Sequence, residues 1–284
     1  LAPTQADSIC TGGTATFQAS PLLNGNTLAA YDWKLQAPNG QIVQVDSAAG
    51  GSVPNLVTAP LSQTGVYWAK LRIRTGCCGW SLQDSIPLTV LPTEDPSVNL
   101  FASQSAACPG SAISFNASRG NAAPGTPDYV WLVNDSVVQQ GPDSSFASSG
   151  LADGDSVQVR LVPDFQCLTQ DTINANRQGV QIFDSPMVTS CPDTLTVRLG
   201  NPVPLNLALD AAAGPPPYQF NIDLGNGFNQ SGTSFGGNIR DTLQFGGTGD
   251  NNVSVAITDA NGCETQCDFT VTVEPLDSAL NGTI

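Results

Sequence analysis

Eight cysteines and no histidine bound the side-chain chemistry open to these 284 residues. The cysteines stand at Cys10, Cys77, Cys78, Cys108, Cys167, Cys191, Cys263 and Cys267. None forms a Cys-x-x-Cys pair, and without imidazole the usual zinc ligand set is missing, so disulfides are expected and no metal site is. The absence of histidine also removes every Ser-His and Cys-His dyad. Gly225-Asn226-Gly227 reads as a turn and not as a phosphate loop. No catalytic residue and no cofactor is assigned, and the chain is not expected to be an enzyme.

The cations form the second candidate group. The two lysines, Lys34 and Lys70, fall on outward positions of alternating segments, which argues against an internal isopeptide bond. Trp68, Lys70, Arg72 and Arg74 share the polar parity of one segment, while Tyr67, Ala69, Leu71 and Ile73 take the apolar one. The cationic face reads as a contact patch for an acidic partner surface or a glycan, with Trp80 extending it. The alternative is a surface tryptophan covered by neighbouring loops. Asp153-Gly154-Asp155, Asp250-Asn251-Asn252 and Asp259-Ala-Asn261 lack the spacing of a calcium-binding EF-hand loop, and turn chemistry explains them. Asn116, Asn134, Asn229, Asn252 and Asn281 open glycosylation sequons.

Charge narrows the partners. The net charge is −15, unevenly spread. Residues 1–93 hold four acids and four bases, residues 94–184 ten acids and three bases, and residues 185–284 ten acids and two bases. Such a surface repels a phosphate backbone, so no nucleic acid is expected as a partner. No apolar run is long enough for a membrane-spanning helix, and no membrane insertion is expected. The first residue is Leu1 and the sole methionine is Met187, which fits a mature exported protein or a fragment.

The elements that position these groups follow from a repeat. Cys10-x-Gly12, Phe17 and Tyr31-x-Trp33 reappear about 98 residues later as Cys108-x-Gly110, Phe115 and Tyr129-x-Trp131. A repeat that long is a domain. Strand-type alternation continues at Val157–Leu161, Leu195–Leu199, Val203–Leu209, Val253–Ile257 and Phe269–Val273. Turn signals at Asn24-Gly25, Asn39-Gly40, Asp153-Gly154, Asn226-Gly227 and Asn261-Gly262 separate the strands. Valine-rich strands running into proline and acid mark module ends near residues 92, 183 and 275. The expected fold is all-β: three tandem immunoglobulin-like β-sandwich domains in a rod, at 1–92, 93–183 and 184–275, with a tail at 276–284.

The repeat also suggests pairings. Cys10 with Cys77 or Cys78, and Cys108 with Cys167, would each close a loop of about 60 residues, worth ~4 kcal/mol of chain entropy. Cys191 would pair with Cys263 or Cys267. One cysteine is then spare in each of the first and third modules. These could bond between successive chains, bond locally as Cys77–Cys78 or Cys263–Cys267, or stay as free thiols.

With these residues in place the chain resembles known repeats. Cys-x-Gly, Phe and Tyr-x-Trp with a closing Val-rich strand resemble immunoglobulin-like and PKD-like repeats of bacterial surface proteins. Gly214-Pro-Pro-Pro-Tyr218-Gln-Phe220, Val253-x-Val255-x-Ile257-Thr-Asp259-Ala-Asn261-Gly262-Cys263 and Phe269-Thr-Val271-Thr-Val273-Glu274-Pro275 resemble the SprB-like repeat of gliding-motility adhesins. The resemblance implies β-sandwich modules on a secreted or cell-surface protein, and no catalytic residue. Trp33 and Trp131 alternate inward with their neighbouring tyrosines and read as core residues packed near a disulfide, as in immunoglobulin sandwiches. Adhesins of this kind usually end in a separate sorting domain, and none follows residue 275 here.

The last segment completes the expectation. Leu276 to Ile284 occupies the place where a following module's first strand would begin, and reads as a frayed terminus or as a strand donated to another copy. The expected function is a secreted structural subunit that polymerises head to tail into an extracellular filament or surface fibre. Its partner interface would comprise Trp68, Lys70, Arg72, Arg74, Ala279, Leu280 and Ile284. The alternative is a cell-surface adhesin or adhesin stalk binding a glycan or protein ligand.

Overall fold

The computed structural model describes residues 7–23, 25–76, 79–120, 125–210, 212–225 and 227–276, and the backbone of strand Ala2–Pro3. Among the described residues there is no helix, and every regular element is a strand. The chain divides into two compact units. One comprises residues 1–99, 119–129 and 160–174, and the other residues 100–118, 130–159 and 175–284.

In the first unit a five-stranded sheet runs in the order Ser8–Cys10, Asp84–Leu91, Gly65–Thr75, Leu28–Gln36, Ile42–Ala49. A three-stranded sheet of Thr16–Gln18 between Ala2–Pro3 and Leu56–Val57 packs against it. Period two decides which side chains meet. Trp33, Leu35, Tyr67, Ala69, Leu71, Leu88 and Val90 point inward and form one buried cluster with Phe17 and Leu56. Trp33 is fully buried, and its indole N–H donates to the Pro54 carbonyl at 3.1 Å. A core tryptophan is tolerated because that one donor is satisfied.

In the second unit a five-stranded sheet runs Thr194–Arg198, Glu264–Glu274, Gly249–Thr258, Tyr218–Asp223, Asn229–Ser234. It faces the pair Val203–Ala208 and Asn238–Leu243. Leu205, Leu207, Ile239 and Leu243 from one sheet and Ile222, Val255, Ile257 and Val271 from the other share one core. The stretch from Ser97 to Ile182 contributes strands to both units. Its sheets run Ser145–Ser148, Ile113–Gly120, Ser97–Ala102 and Ser136–Gly141, Asp128–Val133, Ser156–Val162, Ile173–Asn174. Trp131 is fully buried, with its ring centroid 5.7 Å from that of Phe146, and donates its indole N–H to the Asp143 carbonyl at 3.2 Å.

One device recurs three times. A short leading strand lies parallel to the last strand of its stretch: Ser8–Cys10 on Asp84–Leu91, Ala106–Ala107 on Gln181–Ile182, Thr194–Arg198 on Glu264–Glu274. This sets the disulfides and corrects the expected pairings. The bonds are Cys10–Cys167, Cys108–Cys263 and Cys191–Cys267. Cys10 does not pair with Cys77 or Cys78, and Cys108 does not pair with Cys167.

The reason is positional. Cys10 pairs in register with Leu91, and Ala107, beside Cys108, accepts a hydrogen bond from the Phe183 N–H at 2.9 Å. Both leading cysteines therefore sit where the chain leaves its stretch. Cys167 sits at an entry: its carbonyl accepts from the Glu94 N–H at 2.8 Å, and Thr169 N–H returns a bond to Glu94 at 3.1 Å. A disulfide needs Cα atoms within roughly 7 Å, so a cysteine at an exit bonds to one held at the adjoining entry. The observed Cys10 and Cys167 Cα atoms are 5.3 Å apart. Among the expected third-module alternatives, Cys191 takes Cys267. Cys263 is also bonded, so this module offers no spare cysteine for a bond between chains. Cys77 and Cys78 lie outside the described residues. Trp33 and Trp131 are core residues as expected.

The turn that carries Cys263 is built around a buried carboxylate. Asp259 is 5% exposed, and its Oδ1 accepts the N–H groups of Asn261 at 2.9 Å and Cys263 at 2.8 Å. Its Oδ2 has no hydrogen-bond partner and lies against Gly214. Gly214 has φ +73°, and a Cβ there would stand 2.6 Å from Asp259 Oδ2 and 3.0 Å from the Pro186 nitrogen. Tyr218 donates its hydroxyl to the Gly214 carbonyl at 2.7 Å. Gly214→Ala combines left-handed strain with a clash against an inflexible neighbourhood. It is expected to cost about 2–4 kcal/mol, read as a lowered midpoint in denaturant, while Gly227→Ala, with open space around its Cβ, costs only about 1–2 kcal/mol of backbone strain.

Candidate functional site

The expected cationic residues gather on the outward face of the first unit's five-stranded sheet. On strand Gly65–Thr75, Trp68, Lys70, Arg72 and Arg74 alternate with buried Tyr67, Ala69 and Leu71. Antiparallel register sets their neighbours: Arg72 faces Asp32, Lys70 faces Lys34, and Trp68 faces Gln36 on one side and Pro87 on the other. Asp32 Oδ2 lies 2.7 Å from Arg72 Nη2 and 3.3 Å from Lys34 Nζ. Burial works to raise the pKa of this carboxyl, but hydrogen bonds from Arg72 and Lys34, together with their charges, outweigh it and hold it below the ordinary value.

One carboxylate thus serves two cations. Among the described residues, Lys70 and Arg74 have no ion-pair partner. Lys70 stands directly opposite another lysine, which is unfavourable unless an external anion answers both.

Trp80 completes the face. Its backbone bridges to Arg74, and the guanidinium carbons of Arg72 and Arg74 stand 5.4 Å and 5.7 Å from its ring centroid. Each contact is of cation–π type, worth about 0.5–1 kcal/mol at such exposure. The tryptophan therefore holds two arginines over its ring, Arg72 paired with Asp32 and Arg74 without an ion-pair partner among the described residues. Trp68 and Trp80 remain 40% and 45% exposed. Val66 and Val45 add apolar area to the same sheet. The face can receive carboxylates flanked by apolar or flat groups.

The second unit carries a face of the opposite sign that sequence reading registered only as a net charge. Outward positions of its five-stranded sheet place Asp223, Ser254 and Asp268 in one register row, Gln219, Thr258 and Glu264 in another, and Asp250 beside Thr272. Hydrogen bonds from Gln266 and then Ser254 lower the pKa of Asp268, so it is firmly ionised at neutral pH. Gln219, Asn221, Ser231, Thr258 and Glu264 line a shallow hollow of about 710 Å³ on this face.

No family model matches the chain, and no curated protein matches it. Solved structures resemble it at low identity. The titin domains I67–I69 (an E-to-A mutated variant) share 12% identity at a TM-score of 0.43, covering 94% of this chain and 95% of that one. A structure from a 1.5-MDa bacterial ice-binding adhesin shares 12% at 0.44, with the same coverage. Three N-terminal domains of the bacteriophage RB49 outer capsid protein Hoc share 12% at 0.37, covering 95% and 97%. With TM-scores below 0.5, these likenesses say nothing about what this chain binds.

A further hollow of about 260 Å³ opens beside the cationic sheet, lined by Leu22, Leu71, Ile73, Leu82 and Asp84. Nothing in the alternation pattern signalled it, because Leu22 and Leu82 belong to irregular segments. The described residues hold no cluster of three metal-ligating side chains. The expected interface residues Ala279, Leu280 and Ile284 lie outside the described residues.

Proposed function

We propose that this protein is a secreted structural subunit that assembles head to tail into an extracellular filament or surface fibre. The observation that carries the reading is the pair of oppositely charged outward faces on equivalent five-stranded sheets: Trp68, Lys70, Arg72 and Arg74 on one, Asp223, Asp250, Glu264 and Asp268 on the other. A contact between two different surfaces of identical chains is heterologous, so it propagates unless its rotation closes a ring. Complementary charge steers the encounter, and apolar burial at Trp68 and Trp80 supplies stability. Three disulfides fit an oxidising compartment, at the cell surface or outside it. Three tandem immunoglobulin-like modules bounded near residues 92 and 183 form the body of the subunit. The resemblance of the third to adhesin repeats supports a surface setting. Leu276 to Ile284 adds a strand to the neighbouring copy, satisfying an otherwise open sheet edge.

A second reading has its own support. Trp68 is exposed on the strand that also carries the donors Lys70 and Arg72, an arrangement suited to stacking on a sugar ring, as in an adhesin or adhesin stalk.

Sedimentation of the oxidised chain across the micromolar range separates the two. A filament subunit gives concentration-dependent polymers at low salt that disperse as salt screens the faces, and deletion of 276–284 abolishes them. A monodisperse chain at every concentration overturns the filament and leaves the adhesin reading.

A further inference from the structure

The three disulfides among the described residues overlap along the chain. Cys10–Cys167 spans 157 residues, Cys108–Cys263 spans 155, and Cys191–Cys267 spans 76. The first two loops share residues 108–167, and the third lies partly inside the second. The shortest covalent route from Cys10 to Cys267 therefore crosses to Cys167, follows the backbone to Cys191, and crosses again to Cys267.

We infer that this connectivity makes the oxidised chain a load-bearing tether. A pull that enters before Cys10 and leaves after Cys267 runs through two disulfides and about 24 residues, with a stretched reach on the order of 85 Å. Residues 11–166 and 192–266 hang outside the loaded route as covalently closed loops. They contain the whole of the first unit's core from Ala15 to Val90 and most of the second unit's, including Leu205, Ile222, Ile239 and Val255. Most of each sheet that carries the cationic and acidic faces is bypassed, so tension cannot draw those strands out to full length, while Ser8–Ile9 and Asp268–Glu274 stay on the loaded side. With the disulfides reduced, the same two points are roughly 900 Å apart when stretched. The inference depends on the covalent connectivity alone and holds whether or not copies polymerise.

The three bonds have unequal shares. Without Cys191–Cys267, the shortest route runs from Cys167 back to Cys108, across to Cys263 and on to Cys267, about 63 residues. Without Cys10–Cys167, it runs from Cys10 along the chain to Cys108 and across, about 102 residues. Without Cys108–Cys263, it is unchanged. That bond is therefore a reserve path, slack until one of the others breaks.

The experiment is single-molecule stretching of the full chain between handles at its two ends, at forces that unfold β-sandwiches, with paired Cys→Ser variants. Relative to the oxidised wild type, Cys191→Ser with Cys267→Ser should lengthen the stretched chain by ~140 Å, and Cys10→Ser with Cys167→Ser by ~280 Å. Cys108→Ser with Cys263→Ser should leave it unaltered, and reductant should add ~800 Å to the wild type. Full-length extension of the oxidised wild type, or a lengthening of ~140 Å or more in the Cys108/Cys263 variant, overturns the inference. Failure of polymers to form leaves all four values as stated, so this test and the assembly test fail independently.

Discussion

Reversing two charges on one strand, Lys70→Glu with Arg74→Glu, should raise the concentration at which polymers appear roughly hundredfold, about 3 kcal/mol per contact. Both side chains are on the outward parity of Gly65–Thr75 and neither has an ion-pair partner among the described residues, so the folded unit loses no internal salt bridge. The carboxylate introduced by Lys70→Glu would face Lys34, which relieves a like-charge pair. Each reversal turns an attraction toward the acidic face into a repulsion at the same place. Arg119→Glu reverses one charge on an exposed residue of a different sheet, and should have little effect. Glu264→Lys with Asp268→Lys, mixed with the reversed chain, should restore assembly. Light scattering against concentration at low salt gives the answer. Equal loss from Arg119→Glu would reduce the effect to bulk charge, and no loss from Lys70→Glu with Arg74→Glu would remove this face from the contact.

How much of this was legible in the sequence depends on the range of the interaction. The outward placement of Trp68, Lys70, Arg72 and Arg74 was readable because alternation is local: residue i and residue i+2 share a face whatever the strand's neighbours. Burial of Trp33 and Trp131 was readable for the same reason. The grip of Arg72 and Arg74 on Trp80 was only partly readable. It needs the bridge between Arg74 and Trp80, which folds an irregular segment back onto its own strand. The acidic face was less legible still. Asp223, Asp250 and Asp268 come from three strands, and only the register brings them to one side of one sheet. The disulfide pairings were hidden for a sharper reason. A repeat shows that Cys10 and Cys108 are equivalent, but not which copy supplies the partner. The leading strands that carry the decision, Ser8–Cys10 and Ala106–Ala107, are too short to show any period. Once those strands lie parallel to the last strand of their stretch, each leading cysteine is placed at an exit, and its partner must come from the turn of the stretch that follows.

The Cys108–Cys263 bond illustrates how thermodynamic and mechanical roles separate. Its removal by Cys108→Ser with Cys263→Ser should leave the stretched length of the oxidised chain unaltered, yet cost a large share of the second unit's stability. Closing a loop of 155 residues restricts the unfolded chain by an amount worth ~5 kcal/mol in the chain-entropy estimate. The overlap with the Cys10–Cys167 and Cys191–Cys267 loops lowers this, since those bonds already restrict part of the same chain, so a loss of about 2–4 kcal/mol is expected. For a unit of this size that corresponds to a melting midpoint lower by roughly 5–15 °C. The local turn adds little to the loss, because Asp259 keeps its hydrogen bonds to the Asn261 and Cys263 N–H groups when the sulfur is replaced by a hydroxyl. Calorimetry of the paired variant, with both serines present so that no free thiol reshuffles, measures the cost. A midpoint within about a degree of the wild type would mean that the unfolded chain gains no freedom when the bond is cut, which is incompatible with a closed loop of that length. A large thermal loss with an unchanged stretched length is the combination that only an overlapping, slack cross-link produces.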